Sequence, residues 1–198
     1  MSRTDSTSRI KSPVKHYITF GGGDGIWSYW DKESESDVEF DTLELVLVEI
    51  RSSITGWSDE HNGRITSNLV SNTKETLTLR CKNKEILKGS YADCKPAINE
   101  AGGKFTTNLF GLFKLNGELV AAQVQLTGSS LAAWMNFVDE HKLHKIYAHK
   151  IVASKGDQLR KGAVKYYQPV FTLVSADKTD LEAADKFSIE ELKPYLEQ

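Results

Sequence analysis

Asn116-Gly117 stands between two β-prone runs, Lys104-Phe-Thr-Thr-Asn-Leu-Phe-Gly-Leu-Phe-Lys-Leu115 and Glu118-Leu-Val-Ala-Ala-Gln-Val-Gln-Leu126. A type I′ turn needs positive φ at both central residues, and Asn-Gly supplies them at least cost, so the pair predicts a tight hairpin. A two-residue loop sets Leu115 opposite Glu118 and Phe113 opposite Val120. Counting outward, one face carries Phe105, Thr107, Leu109, Phe113, Val120, Ala122, Val124 and Leu126, a core face. The other carries Thr106, Asn108, Phe110, Leu112, Lys114, Gln123 and Gln125. That face is polar around one aromatic, so it is expected to be a ligand platform centred on Phe110 and not a second core.

Ser129 or Ser130 can cap a helix over residues 131–138. Leu131, Trp134, Met135 and Val138 fall at i, i+3, i+4 and i+7, an apolar stripe that must pack on something. Upstream, residues 1–38 are expected as a flexible arm with a short strand at Tyr17–Phe20. Gly21-Gly-Gly-Asp-Gly25 lacks the Gly-Lys-Ser/Thr ending of a phosphate loop and predicts a turn. Trp27, Tyr29 and Trp30 either stack on a ligand or pin the arm to the domain, and the acidic run to Asp41 is expected as a loop.

From Leu43 to Ile50 the chain is almost continuously apolar and β-prone, which suits a central strand covered on both faces. Ile54-Thr-Gly-Trp57 is read as its end. Leu77, Leu79 and Cys81 alternate with Thr76, Thr78, Arg80 and Lys82, giving a second hairpin through Asn83-Lys84 with a basic outer face. A short helix is expected at 97–101. Two further strands are predicted at Lys145–Ala153 and Ala163–Val174, with a basic loop at 154–162 between them. Pro169 marks the second as an edge strand or a bulge. A helical pattern resumes from Asp177 (Leu181, Ala184, Phe187, Ile189, Leu192, Leu196).

The formal charge of -2 conceals strong local contrasts. Residues 31–44 carry seven carboxylates against Lys32 alone; residues 142–165 carry seven cations against Asp157 alone. A polyanion partner is therefore compatible with a near-neutral total, because the local patch decides. No run approaches the roughly 18 apolar residues of a membrane span, and no apolar signal core follows Met1, so a soluble intracellular protein is expected. Cys81 and Cys94 are expected to be free thiols.

Catalytic signatures are thin. His141-x-x-His144-x-x-x-x-His149 has no acidic or cysteine partner at a fixed offset, and no nucleophile elbow, paired-carboxylate or kinase pattern occurs. Neither a cofactor nor a metal is expected, and the chain is not expected to be an enzyme. What recurs is strands whose outer faces mix cations with aromatics: Arg80 and Lys82; Phe110 and Lys114; Tyr147 and Lys150; Lys165, Tyr166 and Tyr167; and Lys155, Arg160 and Lys161 in the basic loop. Cations that track phosphates beside rings that stack on bases are the means of binding single-stranded nucleic acid.

Strand, hairpin, helix, strand, basic loop, strand is the order of an OB-fold, a five-stranded Greek-key barrel. The expectation is a mainly β chain with such a barrel at 39–176, an inserted hairpin, one packing helix, and an acidic helical segment at 177–198.

The chain also resembles the single-stranded DNA-binding proteins of bacteriophages, those of crAss-like phages in particular, from about Gly25 onward. The resemblance rests on Tyr29-Trp-Asp-Lys, Ile54-Thr-Gly-Trp with Ser67-Asn, and Gly102-Gly-Lys-Phe. It continues in Gly117-Glu-Leu, Gly128-Ser-Ser-Leu-Ala-Ala-Trp and Gly162-Ala-Val-Lys-Tyr-Tyr-Gln-Pro-Val-Phe. It implies a protein that coats exposed single strands in phage DNA replication or recombination, in the cytoplasm of an infected bacterium. It further implies recruitment of replication or recombination proteins through the acidic C-terminus, although this tail does not end in bare carboxylates and a terminal Phe. Homo-oligomers are compatible with it. The alternative is a virion or assembly protein whose β-domain contacts other proteins; a nuclease built from dispersed carboxylates is a third class.

Overall fold

The computed structural model describes residues 10–197; the first nine positions of the expected N-terminal arm lie outside the described residues. The chain is mainly β. Strands β1 (His16–Phe20), β2 (Trp27–Asp31) and β3 (Ser36–Phe40) lead into the long β4 (Thr42–Ser58), followed by β5 (Gly63–Ser67), β6 (Thr76–Cys81) and β7 (Lys84–Ser90). Helix α1 (Tyr91–Glu100) precedes the central hairpin, β8 (Gly103–Leu115) and β9 (Glu118–Leu126). Helices α2 (Gly128–His141) and α3 (Leu143–Tyr147) come next, then β10 (His149–Lys161) and β11 (Val164–Ser175). The described chain ends in α4 (Lys178–Phe187), a π turn (Ser188–Leu192) and α5 (Lys193–Leu196).

The hairpin register is the expected one: Leu115 faces Glu118, Phe113 faces Val120, and Asn116 and Gly117 take φ of 52° and 89°. All strands join one mixed sheet in the order β3-β2-β1-β9-β8-β4-β5-β6-β7, with β10–β11 branching from β4. The long strand makes this possible by sharing one edge. Its first residues (Thr42–Val46) pair with β10, and its last (Thr55–Ser58) pair with β5. The sheet does not close into a barrel. The outer edge of β9 is taken by β1, the one parallel pairing among the described residues, where β11 pairs with β10 alone.

Three apolar clusters follow from the alternation. Leu43, Leu45 and Leu47 of β4 pack with Leu109, Phe113 and Val124, under α2 and β11, around Trp27, Trp134 and Phe171. A bulge between Leu47 and Glu49 shifts the alternation. The second cluster, on the opposite face, joins Val46, Phe110 and Leu112 to Ala184, Phe187 and Leu192 of the C-terminal helices. Ile54, Ile65, Leu77, Leu79 and Ile98 form the third, inside the β5–β7 insertion beneath α1.

Several expectations are corrected. Residues 16–40 form three strands of the sheet joined by two turns, and not an arm. In β3, Val38 and Phe40 pack inward while Asp37 and Glu39 face outward, so the acidic run makes a charged edge strand in place of a loop. On α2 the buried stripe uses Phe137, and Met135 is 53% exposed; Thr127, not a serine, is the N-cap. Ser130 serves from the third helical position, its Oγ accepting the Thr127 N–H at 3.1 Å. α1 begins at Tyr91, capped by Ser90, with Pro96 inside it. Residues 143–147 are the short helix α3, so β10 starts only at His149. The expected loop at 154–162 is instead mostly strand, since β10 runs to Lys161.

Candidate nucleic-acid interface

Beyond Ser154, β10 leaves β4 and continues with β11 as a two-stranded arm. Its register pairs Gln158 with Tyr167, Leu159 with Tyr166, Arg160 with Lys165 and Lys161 with Val164, after a bulge between Lys155 and Gln158. The turn at Gly162 (φ 61°) closes it. Side chains alternate across a ribbon, so Gln158, Arg160, Lys165 and Tyr167 share one face, and Leu159, Lys161, Val164 and Tyr166 share the other. Four cations stand on the arm against Asp157 alone, and neither Arg160, Lys161 nor Lys165 is held in an ion pair among the described residues. The Arg160 Nε donates to the Gly162 carbonyl at 2.8 Å, which holds the guanidinium over the tip.

The base of the arm is fastened. Tyr167 N–H donates to the Gly22 carbonyl at 2.8 Å, and Ser129 Oγ donates to the Tyr167 carbonyl at 3.0 Å. Gln158 Nε2 donates to the Tyr167 hydroxyl at 2.9 Å, and Lys155 Nζ lies 3.9 Å from the centre of the Tyr167 ring. Lys155 also donates to the Asp24 carbonyl. The glycine cluster is therefore a turn, as expected, and it acts as a clamp. Gly25, at φ 78°, leaves the space through which the Lys155 stem passes; a Cβ there would sit 2.7 Å from Lys155 Cε. The contacts of Gly22 and Ser129 with Tyr167 carried no signal in the sequence, because Tyr167 lies 38 residues or more away along the chain.

The remaining candidates separate. Arg80 and Lys82 are exposed on the insertion, and Lys114 is exposed near the central turn. Lys150 is occupied: its Nζ donates to Glu44 Oε2 at 2.7 Å, and this carboxylate holds the ammonium above its ordinary pKa. Tyr147 ends α3 beside Val46, Val48, Leu181 and Ala184, where burial, and then the charge of Glu49, raise its phenol.

Phe110 is the main correction. It is 0% exposed, enclosed under α4, so the second hairpin face is a core after all. The polar residues beside it pair with one another: Gln123 Nε2 donates to Asn108 Oδ1 at 2.8 Å, and Asn108 Nδ2 donates to Ser53 Oγ at 2.9 Å. Buried amides satisfied in this way are tolerated next to apolar packing. The C-terminal segment that covers Phe110 is anchored by Ala184, Phe187 and Leu192, and its carboxylates Glu182, Asp185, Glu190 and Glu191 lie on its exposed side.

Comparison of the chain with known protein families, with curated proteins and with solved structures finds no match. No helix among the described residues is long and apolar enough to cross a membrane.

Proposed function

We propose that the chain is a sequence-independent single-stranded DNA-binding protein of the kind that protects exposed strands during phage replication or recombination, acting as a binder and not as an enzyme. The observation that carries this reading is the β10–β11 arm, a fastened ribbon whose tip carries Arg160, Lys161 and Lys165 in no ion pair among the described residues, with Tyr166 and Tyr167 next to them toward its base. Cations without carboxylate partners suit a phosphate backbone, and an aromatic ring held in place, as Tyr167 is by Gln158 and Lys155, suits a base. The OB-fold interpretation supports it further. β4, β8, β9, α2, β10 and β11 run in OB order, with β1 standing where such a barrel would close and the arm as the loop between the last two barrel strands, a usual oligonucleotide contact.

The test is a titration of a fluorescent single strand at several salt concentrations, with a duplex of the same sequence alongside. Each single-strand phosphate contact contributes about 0.7 to the log–log salt slope. The Arg160→Gln, Lys161→Gln, Lys165→Gln triple variant should weaken binding and flatten the slope by up to about two units. A slope that does not change would remove the arm from the interface.

A protein-contact role is the second reading, and one surface favours it. Trp30 is 56% exposed and pairs across β2–β3 with Asp37, beside Glu39, a setting that repels a polyanion and suits a protein partner.

A further inference from the structure

The end of β4 opposite the arm carries a second surface. Trp57 pairs with Arg64, Thr55 with Thr66 and Lys104, and Thr66 with Arg80. Alternation sends Ile54, Ile65 and Leu79 into the insertion core, so Trp57, Arg64, Arg80 and Lys104 face outward together. Trp57 is 55% exposed, and the outward position that pairs with it on the sheet is the cationic Arg64, with Arg80 and Lys104 on the same face. The backbone beneath it is tightly held. Gly56 and Gly102 are in close backbone approach, and a Cβ at Gly102 (φ +88°) would strike the Trp57 carbonyl.

Charge selects the partner. Arg64, Arg80, Lys82 and Lys104 are exposed, and none of them is in an ion pair among the described residues. Glu85 stands in register opposite Arg80, and Asp59 and Glu60 are exposed in the turn that joins Trp57 to Arg64, at the edge of this set. The other exposed tryptophan, Trp30, has the reverse surroundings, with Asp37 opposite it. A ring whose own sheet face carries Arg64, Arg80 and Lys104, with Glu85 as the carboxylate in register, fits a nucleic-acid base with its flanking phosphates; a ring paired directly with a carboxylate does not. We infer that the outer face of the β4–β5–β6 module is a second single-strand contact, with Trp57 stacking on a base and Arg64, Arg80 and Lys104 on the backbone.

This inference rests on the proposed single-strand binding and extends it. Thr42, where β4 leaves the arm, and Thr55, where the second surface begins, are 13 residues apart along β4. At about 3.3 Å per residue these two points lie up to roughly 43 Å apart, and the arm and Trp57 extend beyond them in opposite directions. A long strand would engage both, and a very short oligonucleotide one.

The experiment compares a long homopolymeric single strand with a short one, using wild type, Trp57→Ala, the Arg64→Gln, Arg80→Gln double variant and the arm triple variant. Thermal melting of each is followed in parallel. Trp57→Ala should lose roughly 5- to 150-fold in affinity for the long strand with its melting temperature unchanged. The double variant, which keeps the ring, should lower the salt slope by about 1.4. In a Trp30→Phe background the emission of the exposed Trp57 should be quenched on binding. If the arm variant weakens binding while Trp57→Ala and the double variant behave as wild type, the second surface is overturned and the proposed function stands. If wild type binds neither strand, both fall.

Discussion

Replacing Phe110 by alanine distinguishes a platform from a core at the position where the hairpin pattern points to a ligand. In the structure the ring is fully enclosed by Val46, Leu112, Ala184, Phe187 and Leu192. Truncating a buried Phe removes its transfer free energy and leaves a cavity, costing about 3–5 kcal/mol. The lower part of that range is expected here, because α4 lies on the surface and can settle partly into the space. For a chain of this size each kcal/mol shifts the melting temperature by about 2–4 °C, so a cost of about 3–4 kcal/mol should make Phe110→Ala melt roughly 6–16 °C early. The assay pairs thermal unfolding by circular dichroism with an oligonucleotide titration well below the transition. Affinity at the lower temperature should match wild type. An unchanged melting temperature with a loss of about 1–3 kcal/mol of affinity, the value of one stacked base, would refute the reasoning and return Phe110 to the surface.

Removing residues 177–198 should expose Phe110, Leu112 and Val46, so the truncated chain is expected to melt earlier than wild type; tighter binding at low salt with no loss of stability would instead mark the segment as a competitor for the basic face. His16 makes stability sensitive to acid. Its ring stands 4.3 Å from that of Tyr29, and burial foremost, with Lys15 adding, holds its pKa below the ordinary 6.5 against the opposing pull of Asp31. A depressed folded pKa means the contribution is present above pH 6.5 and is lost as pH falls through the folded value. The melting temperature should therefore decline on acidification below 6.5, and His16→Gln should decline less; identical pH profiles would discard the assignment.

Local chemistry was legible wherever neighbours in sequence are also neighbours in space. Asn116-Gly117 determined a register of nine residue pairs from Leu115–Glu118 to Thr107–Leu126, because a two-residue turn leaves no other alignment. The alternation of Leu77, Leu79 and Cys81 gave their inward direction, and Pro169 correctly indicated a strand with one free edge. The basic composition of 155–165 was equally visible, but whether it was loop or ribbon was not. Polar alternation without a buried face carries no strand signal, and β11 supplies the pairing from across the turn. The fate of Phe110 was decided by α4, whose Ala184 and Phe187 lie more than seventy residues further on. Lys150 looked as free as Lys165 until β10 docked beside β4 and brought Glu44 within 2.7 Å. Local pattern tells a residue which side of its own strand it occupies; what covers that side, or neutralises it, depends on contacts that exist only once distant segments have packed.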